Sequence, residues 1–125
     1  MGSTSMTKVT AWAVLVLGVV HIVFGILRFK APLTDALLSG FIGRFAEPEI
    51  RRTAFWFLIV GPLFMLAGHV AVHAVASGDR ELLKIIGTYM LATSIVGVLA
   101  FPVSPLWAPL LLSLPLIAAG YGMIN

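Results

Sequence analysis

The segment TAFWFLIVGPLFMLAGHVAVHAVA, Thr53–Ala76, runs for 24 residues without an Asp, Glu, Lys or Arg. At helical rise it reaches about 36 Å, more than the ~30 Å hydrocarbon core of a bilayer, so it reads as a tilted or kinked membrane-spanning helix. Three features interrupt its apolar character. Phe55, Trp56 and Phe57 cluster at its start, Gly61 and Pro62 sit near its middle, and His69 and His73 lie one turn apart near its end. Pro62 has no N–H to offer the carbonyl of Leu58, which predicts a kink or a locally freed acceptor.

Outward from this segment, the same character recurs in Val9–Leu27, Leu82–Phe101 and Leu106–Ile124, where Lys84 is the only charged residue. The expected fold is therefore an all-α transmembrane four-helix bundle. Its spans fall at about 9–27, 53–76, 82–101 and 106–124 of a single integral membrane domain covering 1–125. Composition agrees: 60% of residues are hydrophobic and 10% charged, far from the balance of soluble domains. The first span has a long apolar core closed by Arg28 and Lys30 and lacks a cleavage pattern, so it reads as an anchor that stays in the membrane. Met1–Thr7, with Met6 as an alternative start, is polar and small and carries no fold signal. The chain has no cysteine, which removes disulfide, thiolate and iron–sulfur chemistry. The net charge of +3 lies next to span ends, where cations meet lipid headgroups, so no nucleic-acid partner is implied; the lipid bilayer is.

The longest connection, Arg28–Arg52, contains PLTDALLSGFIGRF, in which Leu33, Leu37, Phe41 and Phe45 recur every four residues beside Leu38 and Ile42. This is an amphipathic pattern, and it predicts an interfacial helix over about 33–45, a cover for one end of the bundle or a lid. Arg51 and Arg52 would anchor the next span at the headgroups. The turn Ser77–Glu81 is short enough to make the second and third spans antiparallel neighbours. Arg28, Lys30, Arg44, Arg51 and Arg52 on the first loop outnumber Lys8, Arg80 and Lys84 opposite, which places that loop in the cytoplasm and both ends of the chain outside.

Gly18, His21 and Gly25 share one helical face, so a neighbouring helix can approach closely beside the imidazole, and His21 faces protein. On the third span Gly87, Met90, Ser94 and Gly97 form a stripe of mostly small residues, while Thr88, Thr93 and Ser94 can bond their own backbone carbonyls. His69 and His73 have the i, i+4 relation that metal-binding helices use, with Asp79, Glu81 or an oligomeric partner as a further ligand. His21 lies seven residues before Arg28 and His69 sixteen after Thr53, a depth difference of more than ~10 Å that disfavours a bis-imidazole haem between them. Either histidine alone remains a candidate axial ligand. His21, His69 and His73 are thus the candidates for catalysis, His21 and His69 for a haem cofactor, and His69 and His73 for a divalent metal. Trp56, Tyr89 and Ser94 are candidates for lining a ligand pocket. No carboxylate lies in the spans and their one Lys, Lys84, sits at the start of the third and not at depth; with no catalytic triad and no phosphate-binding loop, this argues against proton-coupled transport and Schiff-base chemistry.

The G-x-x-H of Gly18–His21, the LLSGFIG of residues 37–43, the FWF-x-x-x-GP of Phe55–Pro62 and the Pro-Leu-Trp turn at Pro105 together resemble a family of small four-span bacterial membrane proteins with no assigned function. The resemblance implies the architecture and a bacterial inner membrane. Styrene oxide isomerases, which use a histidine-bound haem as Lewis acid, are similar at the level of fold alone; the junction Arg51–Phe57, RRTAFWF, has no histidine. Two functions follow as expectations. One is a binding or accessory protein, oligomeric through its glycine faces, that holds an apolar ligand or a partner helix. The other is an isomerase-like membrane enzyme acting on a lipophilic small molecule.

Overall fold

Five α-helices follow one another in the computed structural model, which describes residues 5–125: α1 Met6–Arg28, α2 Lys30–Leu38, α3 Glu49–Ser77, α4 Arg80–Ala100 and α5 Trp107–Gly120. No strand occurs among the described residues, and the reading of Met1–Thr4 lies outside them. Three helices, α1, α3 and α4, are long and apolar enough to cross a membrane. At 1.5 Å per residue they measure about 34, 43 and 31 Å, whereas α5 reaches only about 21 Å.

Local chemistry sets the ends. Ser5 caps α1 by accepting from the amide of Lys8, and Asp79 caps α4 by accepting from that of Leu82. Pro48 precedes α3, and Glu49 in its first turn complements the helix dipole, so α3 begins four residues before the expected Thr53. It remains helical through Pro62 and stops at Gly78, whose φ of 71° is the left-handed conformation that glycine adopts freely.

The packing is inverted relative to a soluble domain. Glycine, alanine and serine fill the interior, including Gly18, Gly61, Gly68, Ala71, Gly87, Ser94 and Ser113. Large apolar side chains such as Val20, Phe24, Leu63, Leu66, Val96 and Leu99 point outward. Water would make that outer surface costly and lipid would not, while small interior residues allow helix backbones to approach.

The closest approach is between α1 and α3, which run antiparallel. Gly25 meets Phe57 and Leu58, Gly18 meets Gly61 and Met65, and Gly68 meets the backbone of Leu15. The second intimate pair is α4 with α5, where Gly87 meets Leu116 and Ile117 and Gly120 meets Lys84. The short turn at Gly78 does make α3 and α4 successive, but their mutual packing is slight. Glycine placement, not loop length, decides who pairs with whom. A shared core of Ala11, Val14, Ala71, Ala74, Leu83 and Leu116 joins the two pairs.

The first connection differs from its expected form. The helix spans Lys30–Leu38 instead of about 33–45, and the chain then turns through Gly40, Phe41 and Gly43, with φ of 109°, 66° and 71°. Three left-handed residues in a row of four cannot continue a right-handed helix. Phe41 and Phe45 are instead carried back toward α3 by a folded loop. The last expected span is helical over Trp107–Gly120 only. Beyond it the chain returns to α1, where the amide of Thr7 donates to the carbonyl oxygen of Asn125 at 2.8 Å.

Candidate functional site

Two turns of α1, all of α2, the loop behind it and the first half of α3 enclose an apolar groove of about 520 Å³. Ile22 and Ile26 of α1 form one wall, and Phe55, Leu58, Ile59 and Pro62 of α3 form another. Lys30, Leu33, Thr34 and Leu37 of α2, with Phe41 and Phe45 of the loop, form the cover. The leucine and phenylalanine periodicity of the connection thus turns inward onto the groove. Thr34 is the sole uncharged polar side chain on these walls, and its hydroxyl is spent on the carbonyl of Lys30 at 2.7 Å. Lys30 is the one titratable group among them.

Arginine holds the cover down. Arg51 donates to the carbonyl of Arg44 at 3.3 Å and lies 3.5 Å from the Ser39 hydroxyl, and Arg52 donates to the carbonyl of Ala46 at 2.8 Å. The sequence reading placed both arginines at the headgroups; within the chain their guanidinium groups reach these loop carbonyls. Aromatic contacts continue the attachment, from Phe41 to Phe45 at 5.2 Å, Phe45 to Phe55 at 5.6 Å and Phe55 to Trp56 at 5.3 Å between centroids.

Behind the groove lies His21. Its ring stacks on Phe57 at 4.0 Å and meets Phe64 edge-on at 6.2 Å, and its Nε2 is 2.7 Å from the Phe57 carbonyl oxygen. A carbonyl only accepts, so Nε2 carries the hydrogen in this contact. The acceptor is the carbonyl one residue before the one that Pro62 leaves without a helical partner. Gly18 and Gly25, one turn to either side, admit α3 closely enough for this bond. His21 is therefore a clasp between α1 and α3, and it does not line the groove.

The remaining predicted residues scatter. His69 and His73 are both exposed on the outer face of α3. The register places His69 level with Leu15, about 9 Å along α1 from His21. Asp79, proposed as a further ligand, caps α4, and Glu81 pairs with Lys84 at 3.2 Å. Among the described residues no three His, Asp or Glu side chains converge on a point that could hold a metal. Trp56 and Tyr89 are 62% and 73% exposed and look away from the groove, and Ser94 is buried on the inner stripe of α4. Thr88 bonds the carbonyl of Lys84 at 2.7 Å, as its position one turn later predicts.

Sequence reasoning allowed a lid here, but the pocket residues it named, Trp56, Tyr89 and Ser94, are not among those that line the groove. Its signal was present in Leu33, Leu37, Phe41 and Phe45, but an unbroken helix would have laid those side chains flat on one face. No curated protein and no solved structure matches the chain. A match over residues 5–122, nearly its whole length, shows that the chain belongs to a family of unknown function (DUF6463).

Proposed function

We propose that this is a four-span bacterial inner-membrane protein, α5 with its flanks making the fourth crossing, that binds an apolar ligand in the groove under α2. The observation that carries the reading is the groove of about 520 Å³ with apolar walls on three sides, within the 300–1,000 Å³ range of ligand pockets. The arginine-tied loop supports it, since side chains as large as Phe41 and Phe45 are held over the opening at a fixed distance. Five basic residues on the α2 side against three opposite support a cytoplasmic position for the groove mouth. α2 with its loop then lies at the cytoplasmic interface.

The isomerase-like alternative draws less support. General acid–base catalysis needs a titratable group within hydrogen-bond reach of the substrate, and Lys30 alone lies on the groove walls. Association into oligomers through the glycine faces also draws less support, because Gly18, Gly25, Gly61 and Gly87 are taken up by contacts within the chain.

The test is photolabelling with an alkyl diazirine in lipid nanodiscs, read by peptide mass spectrometry. Adducts concentrated on Leu33, Phe41, Phe55 and Ile59, and lost in Leu33→Trp, are the expected result. Labelling spread evenly over the outer faces of α1 and α4 would refute a ligand groove.

A further inference from the structure

We infer that the ligand is a single-chain anionic amphiphile whose charged group is held by Lys30; this rests on the ligand reading above and specifies its chemistry. Volume selects the chain. At the roughly 30 Å³ that a water-sized group occupies, 520 Å³ holds about 17 such groups, one acyl chain and not two. Position selects the head. Lys30 starts α2 two residues beyond the end of α1, at headgroup level, while Ile22 lies about 9 Å before that end, beside Gly61 and Pro62. The groove walls are apolar, and their one charged side chain stands at the α1–α2 joint, so an amphiphile would lie with its chain along the walls and its head at that joint.

Charge selects the sign. No carboxylate lines the groove, and Lys30 has no ion-pair partner, the one salt bridge among the described residues being Lys84–Glu81. Its neighbouring cations are otherwise engaged: Arg28 lies over the Phe29 ring at 5.6 Å, and Arg51 and Arg52 hold the loop. The aliphatic stem of Lys30 can lie along the apolar wall while its ammonium stays at the mouth. An uncharged ligand of the same length would leave that ammonium unused; a carboxylate or phosphate monoester meets it.

The experiment compares spin-labelled stearate, its methyl ester and a spin-labelled alkyl phosphate in phosphatidylcholine vesicles containing the full chain, reading the motionally restricted fraction by electron paramagnetic resonance. Stearate should associate about fivefold more strongly than the ester, the factor that one cation–anion contact near a membrane surface gives. Lys30→Gln should bring the two to parity and Lys30→Arg should keep the difference. Whether stearate or the alkyl phosphate is held more tightly assigns the head as carboxylate or phosphate. Equal restriction of stearate and ester, or a preference that survives Lys30→Gln, overturns the inference while leaving the groove a ligand site. If Leu33→Trp displaces none of the three probes, the ligand reading itself fails.

Discussion

Replacing Gly18 with alanine tests the α1–α3 interface at one of its close backbone contacts. A Cβ there would lie 2.6 Å from the Gly61 carbonyl oxygen, the Met65 amide nitrogen and Met65 Cγ. Two of these atoms are backbone, so no rotamer change relieves the clash; ordinary contact at about 3.4 Å requires the helices to part by about 0.8 Å. A gap of that size forfeits a quarter to a half of the dispersion energy of the atoms along the seam. It would also stretch the His21–Phe57 bond, one turn away, from 2.7 Å to the 3.5 Å limit, at a cost of about 1 kcal/mol. Overpacking typically costs 1–3 kcal/mol, and alanine returns up to about 1 kcal/mol of helix propensity. The expected net loss for Gly18→Ala is roughly 1–3 kcal/mol. Gly97→Ala is the control, because the nearest atom there is the flexible end of Leu106, and its loss should stay below about 1 kcal/mol. Titration with a denaturing detergent, followed by circular dichroism in mixed micelles, measures both. A Gly18→Ala protein as stable as the parent, or less affected than Gly97→Ala, would refute the close α1–α3 packing.

His21→Phe keeps the stack on Phe57 but loses the hydrogen bond, and should cost about 1 kcal/mol in the same titration; His21→Ala loses both and should cost about 2–4 kcal/mol. His69→Ala and His73→Ala remove exposed side chains and should each change stability by less than about 0.5 kcal/mol, which a double variant would make measurable. Arg51→Ala and Arg52→Ala free the carbonyls of Arg44 and Ala46, so amide exchange across residues 39–46 should accelerate about five- to tenfold, read by hydrogen–deuterium mass spectrometry, while α4 is unaffected.

What could be read in advance followed from one-dimensional signals. The three long spans are runs without Asp or Glu at depth, and the inward face of His21 follows from Gly18 and Gly25 at three- and four-residue spacing. The partner of that face could not be read, since the short turn at Gly78 favours α3 with α4 while the glycines match α1 to α3. The groove was hidden because Leu33 and Leu37 obey helical periodicity whereas Phe41 and Phe45, which share it, reach the site through left-handed turns at Gly40 and Phe41. Trp56 and Tyr89 stood out as large aromatics with polar atoms, yet their place on a helix decides their exposure and residue type does not.

Phe29 is the last residue of one helical direction and the first of another, a joint one residue long whose side chain is buried against Phe57 at 5.4 Å. Because Phe57 also carries the His21 stack, the angle at which α2 leaves α1 is fixed from inside the α1–α3 seam. The cover and the seam are therefore mechanically one part. Any force that lifts α2 must move the Phe29 ring against Phe57, and any change that loosens the α1–α3 seam will be felt as a wider mouth to the groove.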